Sequence, residues 1–262
     1  MVNEFKWLRE LLTVKSQEIM YTKYETFFLE PGSWREPFTL TGAEAHHLSK
    51  VLRLTPGKQV RLTDGRGRTG IFTVEGITRT KVSLSPGEIR SWPEPRSKVY
   101  LALAWNKSFR RSWLLEKAVE LGVWQIILWQ ARHSQGRTKD AGQGNWQGKM
   151  IAAAKQGENP WVPKLIFLHG GVHELLEYST DVESRIVLWE DEKEKSLIDY
   201  YRQQQQPEEK IIAVGPEGGL AREEVHALTR SGFESLSLGP RVLRWETAAL
   251  APLYLDMLFF NR

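Results

Sequence analysis

Cysteine is absent from the 262 residues. That excludes disulfide frameworks, cysteine-ligated zinc or iron–sulfur sites and thiol catalysis. Long apolar runs are missing too: no stretch approaches the roughly 20 residues a helix needs to cross a bilayer. The start, Met1-Val-Asn-Glu-Phe-Lys-Trp7, carries an acid and lacks the apolar core of a secretion signal, so a cytoplasmic protein is the expectation. Neither sign of charge dominates. Lys and Arg number 36 against 32 Asp and Glu, a net +4, too little to identify a polyanionic partner. With 26% charged residues and a mean hydropathy of −0.42, the chain has the composition of an ordinary globule. A chain this long can bury about three quarters of its unfolded surface and needs no covalent staple.

What charge there is lies unevenly. Residues 96–165 hold 12 Lys and Arg against 4 Asp and Glu, whereas residues 166–210 hold 5 against 11. A localised basic excess is the electrostatic footprint of a phosphate-backbone binder; a solvated basic face is the bland alternative. Eleven Trp and ten Phe offer stacking surfaces, although most aromatics serve in cores.

The hydrophobic period changes along the chain. Residues 1–23 form an extension, with Phe5, Leu8, Leu11, Leu12 and Val14 on a rough helical stripe. Residues 24–95 read as a small β-barrel. In it Thr41-Gly-Ala-Glu44 is the signature of a capping box opening a helix Ala43–Leu54. Strands are expected at Gln59–Thr63, Gly70–Gly76 and Lys81–Leu84, with Pro56-Gly57 and Pro86-Gly87 as turns. Ser91-Trp-Pro-Glu-Pro-Arg96 is the natural linker. Residues 96–262 then alternate strand and helix. The strands are Val99–Ala104, Ile126–Trp129, Leu165–Leu168, Ile186–Trp189, Ile211–Val214 and Ser235–Leu238. Helical stretches fall at Phe109–Leu121, Asn145–Lys155, Glu192–Arg202, Arg222–Arg230 and Thr247–Phe259. This is the pattern of a mostly parallel α/β sheet covered on both faces.

Gly65-Arg-Gly-Arg-Thr-Gly70 matches the dinucleotide fingerprint, but that motif needs a helix after it. Here Ile71-Phe-Thr-Val continues as a strand, so the glycines make a hairpin tip, and Arg66 and Arg68 on it become candidate phosphate contacts. The pairs His46-His47 and His169/His173 lack a third ligand, and no metal is expected. The C-terminal fifty residues are more informative. Ala213-Val-Gly-Pro-Glu-Gly-Gly-Leu220 and Ser235-Leu-Ser-Leu-Gly-Pro-Arg-Val-Leu-Arg-Trp-Glu-Thr-Ala-Ala-Leu250 each run from an apolar strand through a Gly-Pro loop into a helix. Two such loops leaving adjacent parallel strands would line one crevice, where α/β sheets bind ligands. Glycine there lets main-chain groups approach a flat ligand, and proline sets the loop shape.

These residues resemble the RsmE-type 16S rRNA (uracil-N3) methyltransferases of the SPOUT superfamily. The likeness is carried by Gly215-Pro-Glu-Gly-Gly-Leu220 and by Leu238-Gly-Pro-Arg-Val-Leu-Arg244 with Glu246-Thr-Ala248. Ala45-His-His-Leu48 with Val51-Leu-Arg53, and Glu116-Lys-Ala-Val-Glu-Leu-Gly-Val123, extend it over nearly the whole chain after about residue 25. The resemblance implies a PUA-like RNA-binding barrel, a SPOUT domain with a trefoil knot, a homodimer, and S-adenosylmethionine as methyl donor. The implied substrate is a uridine of 16S rRNA, methylated at N3, with the small ribosomal subunit as the expected partner.

By motif match the cofactor would be lined by Leu188, by Gly215, Pro216 and Gly218, and by Leu238, Gly239, Leu243, Thr247 and Ala248. An N3 anion of uracil is favoured by a nearby cation; Arg244, and after it Arg241, are the candidates. Glu246 or Glu217 would accept the proton or cap a loop. Arg53, Arg61, Arg66, Arg68, Lys107, Arg110 and Arg132 are candidate RNA contacts. Three departures stand out. Trp245 replaces a Thr-like residue and is expected to pack against a partner subunit or stack on a base. Lys155-Gln-Gly-Glu-Asn159 lacks the family's glutamate and arginine, which leaves the RNA or dimer role of that stretch open. Ala221 replaces a capping Ser or Thr, so the helix after it loses about 1 kcal/mol of capping. A non-catalytic ribosome-assembly factor and a tRNA methyltransferase are the rival readings.

Overall fold

The change of period near residue 95 is a change of sheet. The computed structural model describes residues 24–107, 110–140, 146–203 and 207–260; the helix expected in residues 1–20 lies outside them. Strands β1 (Thr26–Phe28), β2 (Thr39–Thr41), β3 (Gln59–Thr63), β4 (Arg68–Ile77) and β5 (Lys81–Ser91) form a five-stranded sheet in the order β1-β3-β4-β5-β2. Alternate residues of β3, β4 and β5 turn Val60, Leu62, Phe72, Val74, Val82 and Leu84 onto one buried core. Trp34, Phe38 and Phe72 meet edge to face inside it.

Two local expectations fail here, both because tertiary partners win. Pro86-Gly87 is no turn: β5 runs through it, with Pro86 opposite Phe72 beside a register shift where the missing N–H is tolerated. The Thr41 side chain caps nothing, and Glu44 instead accepts the Phe28 N–H at 3.1 Å and pairs with Lys155. Helix α1 (Gly42–His46) winds on as a π-helical turn over His47–Val51 and stops short of Leu54.

The second sheet holds β6 (Lys98–Ala104), β7 (Gln125–Trp129), β8 (Lys164–Leu168), β9 (Ser184–Leu188), β10 (Glu209–Val214) and β11 (Glu234–Leu236). Its order is β11-β9-β10-β6-β7-β8, and every neighbouring pair is parallel. Six helices cover it: α2 (Arg111–Glu120), α3 (Trp146–Gln156), α4 (Val172–Tyr178), α5 (Leu197–Gln203), α6 (Arg222–Arg230) and α7 (Trp245–Phe260). Leu101, Leu103, Ile126, Leu128, Ile212 and Val214 face α2, α3, α5 and α7, while Ala102, Ile127, Trp129, Ile211 and Ala213 face α4 and α6. Strands sandwiched this way carry apolar residues on both faces, hence their near-continuous apolar runs. The expected strands β10 and β11 are not neighbours; β9 lies between them. The helix expected from Glu192 starts only at Leu197, because the Glu192 carboxylate accepts the N–H groups of Glu194 and Lys195 and holds a loop. The missing cap at Ala221 is offset by Glu224, whose carboxylate accepts the Ala221 N–H at 3.1 Å.

The two sheets are joined through residues 155–162. Lys155 pairs with Glu44 at 2.8 Å, and Glu158 pairs with Arg61. The Gly67 N–H donates to Pro160 O, and the Val162 N–H to Gly65 O, both at 2.9 Å. Gly65 and Gly67 have φ of +67° and +89°, and a Cβ at Gly67 would lie 2.4 Å from the Trp161 ring. The glycine motif therefore serves a domain junction.

Lys210 of β10 and Asp256 of α7 form an ion pair in which neither residue exceeds 1% exposure. Lys210 also donates to Ser97 Oγ at 3.1 Å and lies 4.1 Å from the Phe260 ring centroid. Burial pushes the lysine pKa down and the aspartate pKa up, each opposed by the partner's charge. Asp256→Ala, which strands a buried ammonium, should cost about 3–5 kcal/mol in urea unfolding. The double replacement Lys210→Met with Asp256→Leu should recover most of that loss.

Candidate active site

At the carboxyl ends of β9, β10 and β11 three loops enclose a cavity of about 460 Å³. That is within the usual range for small-molecule sites. The β9 end contributes Leu188, Trp189, Glu190 and Lys193. The β10 loop contributes Val214, Gly215, Pro216, Glu217 and Gly219, and the β11 loop everything from Ser237 to Glu246, with Ala248 beyond. Arg110 closes one side from the connection between β6 and α2. The β9 end is tied to β11 by the Trp189 N–H donating to Leu236 O at 3.1 Å, and the β10 loop is closed on itself by the Gly219 N–H donating to Pro216 O at 2.9 Å.

Glycine is demanded here by space and by dihedral. A Cβ on Gly215 would lie 2.8 Å from Leu220 Cγ, and one on Gly219 (φ +72°) would lie 2.2 Å from Glu190 Oε1. Gly239 has φ +113°, with its N–H donating to Ser237 Oγ at 3.2 Å. Of the nine residues expected around a cofactor, Leu188, Gly215, Pro216, Leu238, Gly239, Leu243 and Ala248 line the cavity. Gly218 turns toward His133 instead, and Thr247 is exposed outside the lining. Sequence reasoning missed Glu190, Lys193, Gly219 and Ser237. The acidic run Glu190-Asp-Glu192 directly after an apolar strand was the available signal.

The charged groups have distinct situations. Arg241 and Arg244 are exposed at the cavity's lip. Glu246 is buried and held by the Arg110 guanidinium. Burial by itself would raise its pKa. The Arg110 hydrogen bond, the backbone amide and the charges of Arg110 and Arg244 outweigh that and hold the carboxyl below its ordinary value. Such a carboxylate is a poor proton acceptor and a good brace for the start of α7. Glu217 lies exposed on the lining. Trp245 is 4% exposed and packs in its own chain's main core, so it presents no open face for a base and needs no partner subunit to cover it.

The other expected RNA contacts do not form one patch. Arg61, Arg66 and Arg68 gather at the domain junction, where Arg61 pairs with Glu158 and Arg68 with Asp64 at 2.7 Å. Arg53, at φ +52°, is exposed after α1. Lys107, Arg110 and Arg132 follow the carboxyl ends of β6 and β7; Arg132 pairs with Glu223 at 3.1 Å on the surface. His169 Nδ1 shares a hydrogen bond with Thr138 Oγ1 at 2.6 Å. Among the described residues no group of three or more His, Asp or Glu could hold a metal. None of their helices is long and apolar enough to cross a membrane.

Because the folded pKa of Glu246 is depressed, its tie to Arg110 contributes fully above the ordinary carboxylate pKa and is lost as pH falls through the lower, folded value. Glu246→Gln should therefore lower the melting temperature at pH 7. Thermal scans toward pH 3 should show the gap to the unaltered protein closing.

Residues 93–255 match the RNA methyltransferase domain family, and residues 40–86 the RNA methyltransferase PUA domain. Ribosomal RNA small subunit methyltransferase E of Bacillus subtilis is 30% identical over 225 residues, covering 81% of this chain and 86% of that protein. The protein of that name from Mycobacterium tuberculosis is 30% identical over 220 residues, covering 81% and 82%. A Legionella pneumophila protein solved with bound cofactor SAM superposes with a TM-score of 0.76 at 26% identity, covering 90% of this chain and 98% of that one. Ribosomal RNA small subunit methyltransferase E from Neisseria gonorrhoeae, bound to S-adenosyl methionine, shares the fold with a TM-score of 0.79 at 24% identity, over 90% and 98%. With its cavity at three parallel strand ends and a second, smaller sheet carrying the PUA match, this chain belongs to the ribosomal RNA small subunit methyltransferase E family.

Proposed function

We propose that the chain methylates N3 of a uridine in 16S rRNA with S-adenosylmethionine as methyl donor, acting as a cytoplasmic homodimer on the small ribosomal subunit. One observation carries the reading: two exposed guanidinium groups, Arg241 and Arg244, stand at the mouth of a cavity built largely from main chain and small or apolar side chains. Relatives named for small-subunit rRNA methylation and neighbours solved with the donor support it.

The residues present fit that donor. Leu188, Leu238, Leu243 and Ala248 offer apolar walls for an adenine, and loop backbone N–H and C=O groups its hydrogen bonds. Glu190, Glu217 and Lys193 supply both signs of charge for an amino-acid zwitterion. When bound, the donor supplies a sulfonium methyl that is already electrophilic. What remains for the protein is to hold the uracil N3 in line and stabilise its anion. Arg244, next to α7 and braced through the Arg110–Glu246 pair, is assigned that charge, with Arg241 on the RNA phosphate. Glu217, one of two exposed acids of the lining with Glu190, is assigned the N3 proton, since Glu246 is engaged by Arg110.

The trefoil knot belongs to the same proposal. β10 is inserted between β6 and β9, β11 lies beyond β9, and α7 returns to pack under β6 and β10; a chain that does this by threading its own loop is a rare exception to unknotted connection rules.

The test is transfer of labelled methyl to small ribosomal subunits and to naked rRNA, with the product nucleoside identified by mass spectrometry. N3-methyluridine is expected. Label in tRNA alone would overturn the substrate, and donor binding without transfer to any RNA would favour an assembly factor. Arg244→Ala should lower kcat by about 10²-fold, the usual loss for a missing anion-stabilising group, with donor affinity unchanged in calorimetry. Arg241→Ala should act mainly on KM for RNA.

A further inference from the structure

A second concavity lies on the five-stranded sheet, away from the cavity. It is an open groove of about 570 Å³ at the tip of the β3–β4 hairpin, where Pro31, Asp64, Arg66, Arg68 and Trp92 come together. Trp92 is 43% exposed, which is unusual for the largest apolar side chain. Its ring is nonetheless fixed: the indole N–H donates to Thr69 Oγ1 at 2.8 Å, and its backbone N–H to Gly67 O at 2.7 Å. The Arg90 guanidinium lies 5.1 Å from the ring centroid.

The floor of the groove is equally well held. The Asp64 side chain is wholly buried and accepts the N–H groups of Arg66 (2.8 Å) and Arg68 (2.9 Å) and the Arg68 Nε at 2.7 Å. Arg68 also donates to Pro31 O at 3.0 Å. Asp64 thus neutralises Arg68 and shapes the tip, while the Arg66 side chain stays exposed with no ion pair among the described residues. The tip is pinned to the second domain by the two backbone hydrogen bonds to Pro160 and Val162.

We propose that this groove is a subsite for one unpaired nucleotide of the RNA substrate, with the base stacked on Trp92 and its phosphate at Arg66. An exposed, immobilised indole beside an unpaired guanidinium is what base stacking and phosphate attraction require. Because ring and tip are already ordered, little conformational freedom is lost on binding. A base stacked between its neighbours inside a duplex has no free face to offer the indole, so the subsite selects single-stranded segments. The proposal rests on RNA being the substrate but not on which base is methylated.

Within one chain the groove is not where the methyl is transferred. The tip abuts Pro160–Val162 at the amino end of β8, whereas the cavity lies at the carboxyl ends of β9, β10 and β11. Strand spacing and rise put the two roughly 25 Å apart. Trp92 is therefore an anchoring residue that acts on RNA affinity and not on the chemical step.

The experiment is fluorescence anisotropy of a fluorescein-labelled decauridylate, alone or paired with decaadenylate, titrated with the full chain over a range of salt. The unaltered protein should prefer the single strand. Trp92→Ala should weaken single-strand binding at least fivefold, Trp92→Phe should stay within about threefold, and Arg66→Ala should flatten the salt slope by about 0.7. In the methylation assay Trp92→Ala should raise KM for RNA and leave kcat unchanged; S-adenosylmethionine binding by calorimetry verifies that each variant is folded. Decauridylate affinity within twofold of the unaltered protein in Trp92→Ala, or an unchanged salt slope in Arg66→Ala, would overturn the subsite. Absence of methyl transfer with these binding effects intact would instead sink the proposed reaction and leave the subsite standing.

Discussion

The insertion of β10 between β6 and β9 is the constraint on which the site depends. It brings the carboxyl ends of β9 and β10 side by side, with β11 on the far flank of β9, so that three loops close on one space. Parallel strands point all their carboxyl ends the same way, and a crevice forms there when the order of strands departs from the order of the chain. The glycines follow from that convergence. Gly215 is small because Leu220 already occupies the volume a side chain would need, and Gly219 is glycine because its φ is +72°.

Charge is placed with comparable economy. The buried acid on the lining, Glu246, is paired with Arg110 and stays ionised, which fixes the start of α7 and leaves Arg241 and Arg244 turned to the opening. The far end of α7 is anchored by Asp256 to Lys210 of β10. Desolvation disfavours the charged form of each partner, so the pair holds only because both are present. One helix is thus clamped at both ends by ion pairs to the strands or loops that frame the cavity.

The domain junction shows how a departure from a family pattern is absorbed. Lys155 and Glu158, in the stretch expected to depart from that pattern, both find opposite charges on the five-stranded sheet's side, Glu44 and Arg61. That use of Arg61, with Arg68 committed to Asp64, removes two cations from the expected RNA surface and leaves Arg66 as the exposed one at the tip. The basic excess of residues 96–165 is likewise part structure: Arg110 braces Glu246, and the Arg111 guanidinium is stacked between Trp105 and Trp146, with Cζ 4.0 and 4.8 Å from their ring centroids.

Much of this was legible residue by residue. Apolar runs sandwiched between helices announced the six strands, since covering both faces removes the polar alternation. The glycine-proline loops announced a crevice, because their backbone conformations are local properties of those residues. The three-residue β1 and β2 and the seven-residue α4 were not legible, having too few residues to carry a period; β11, equally short, was marked by the Gly-Pro loop after it. What the sequence by itself determined was therefore the element types, the division near residue 95 and the loop chemistry, all set by interactions within a few residues. What only the tertiary structure decided was which elements became neighbours and which charges met. It put β9 between β10 and β11, gave Glu44 to Lys155 in place of a helix cap, and buried Trp245 while leaving Trp92 exposed. Pairings across 46 and 136 positions, Lys210 with Asp256 and Arg110 with Glu246, leave no periodic trace in the chain, because their energy depends on burial and distance and not on spacing in sequence.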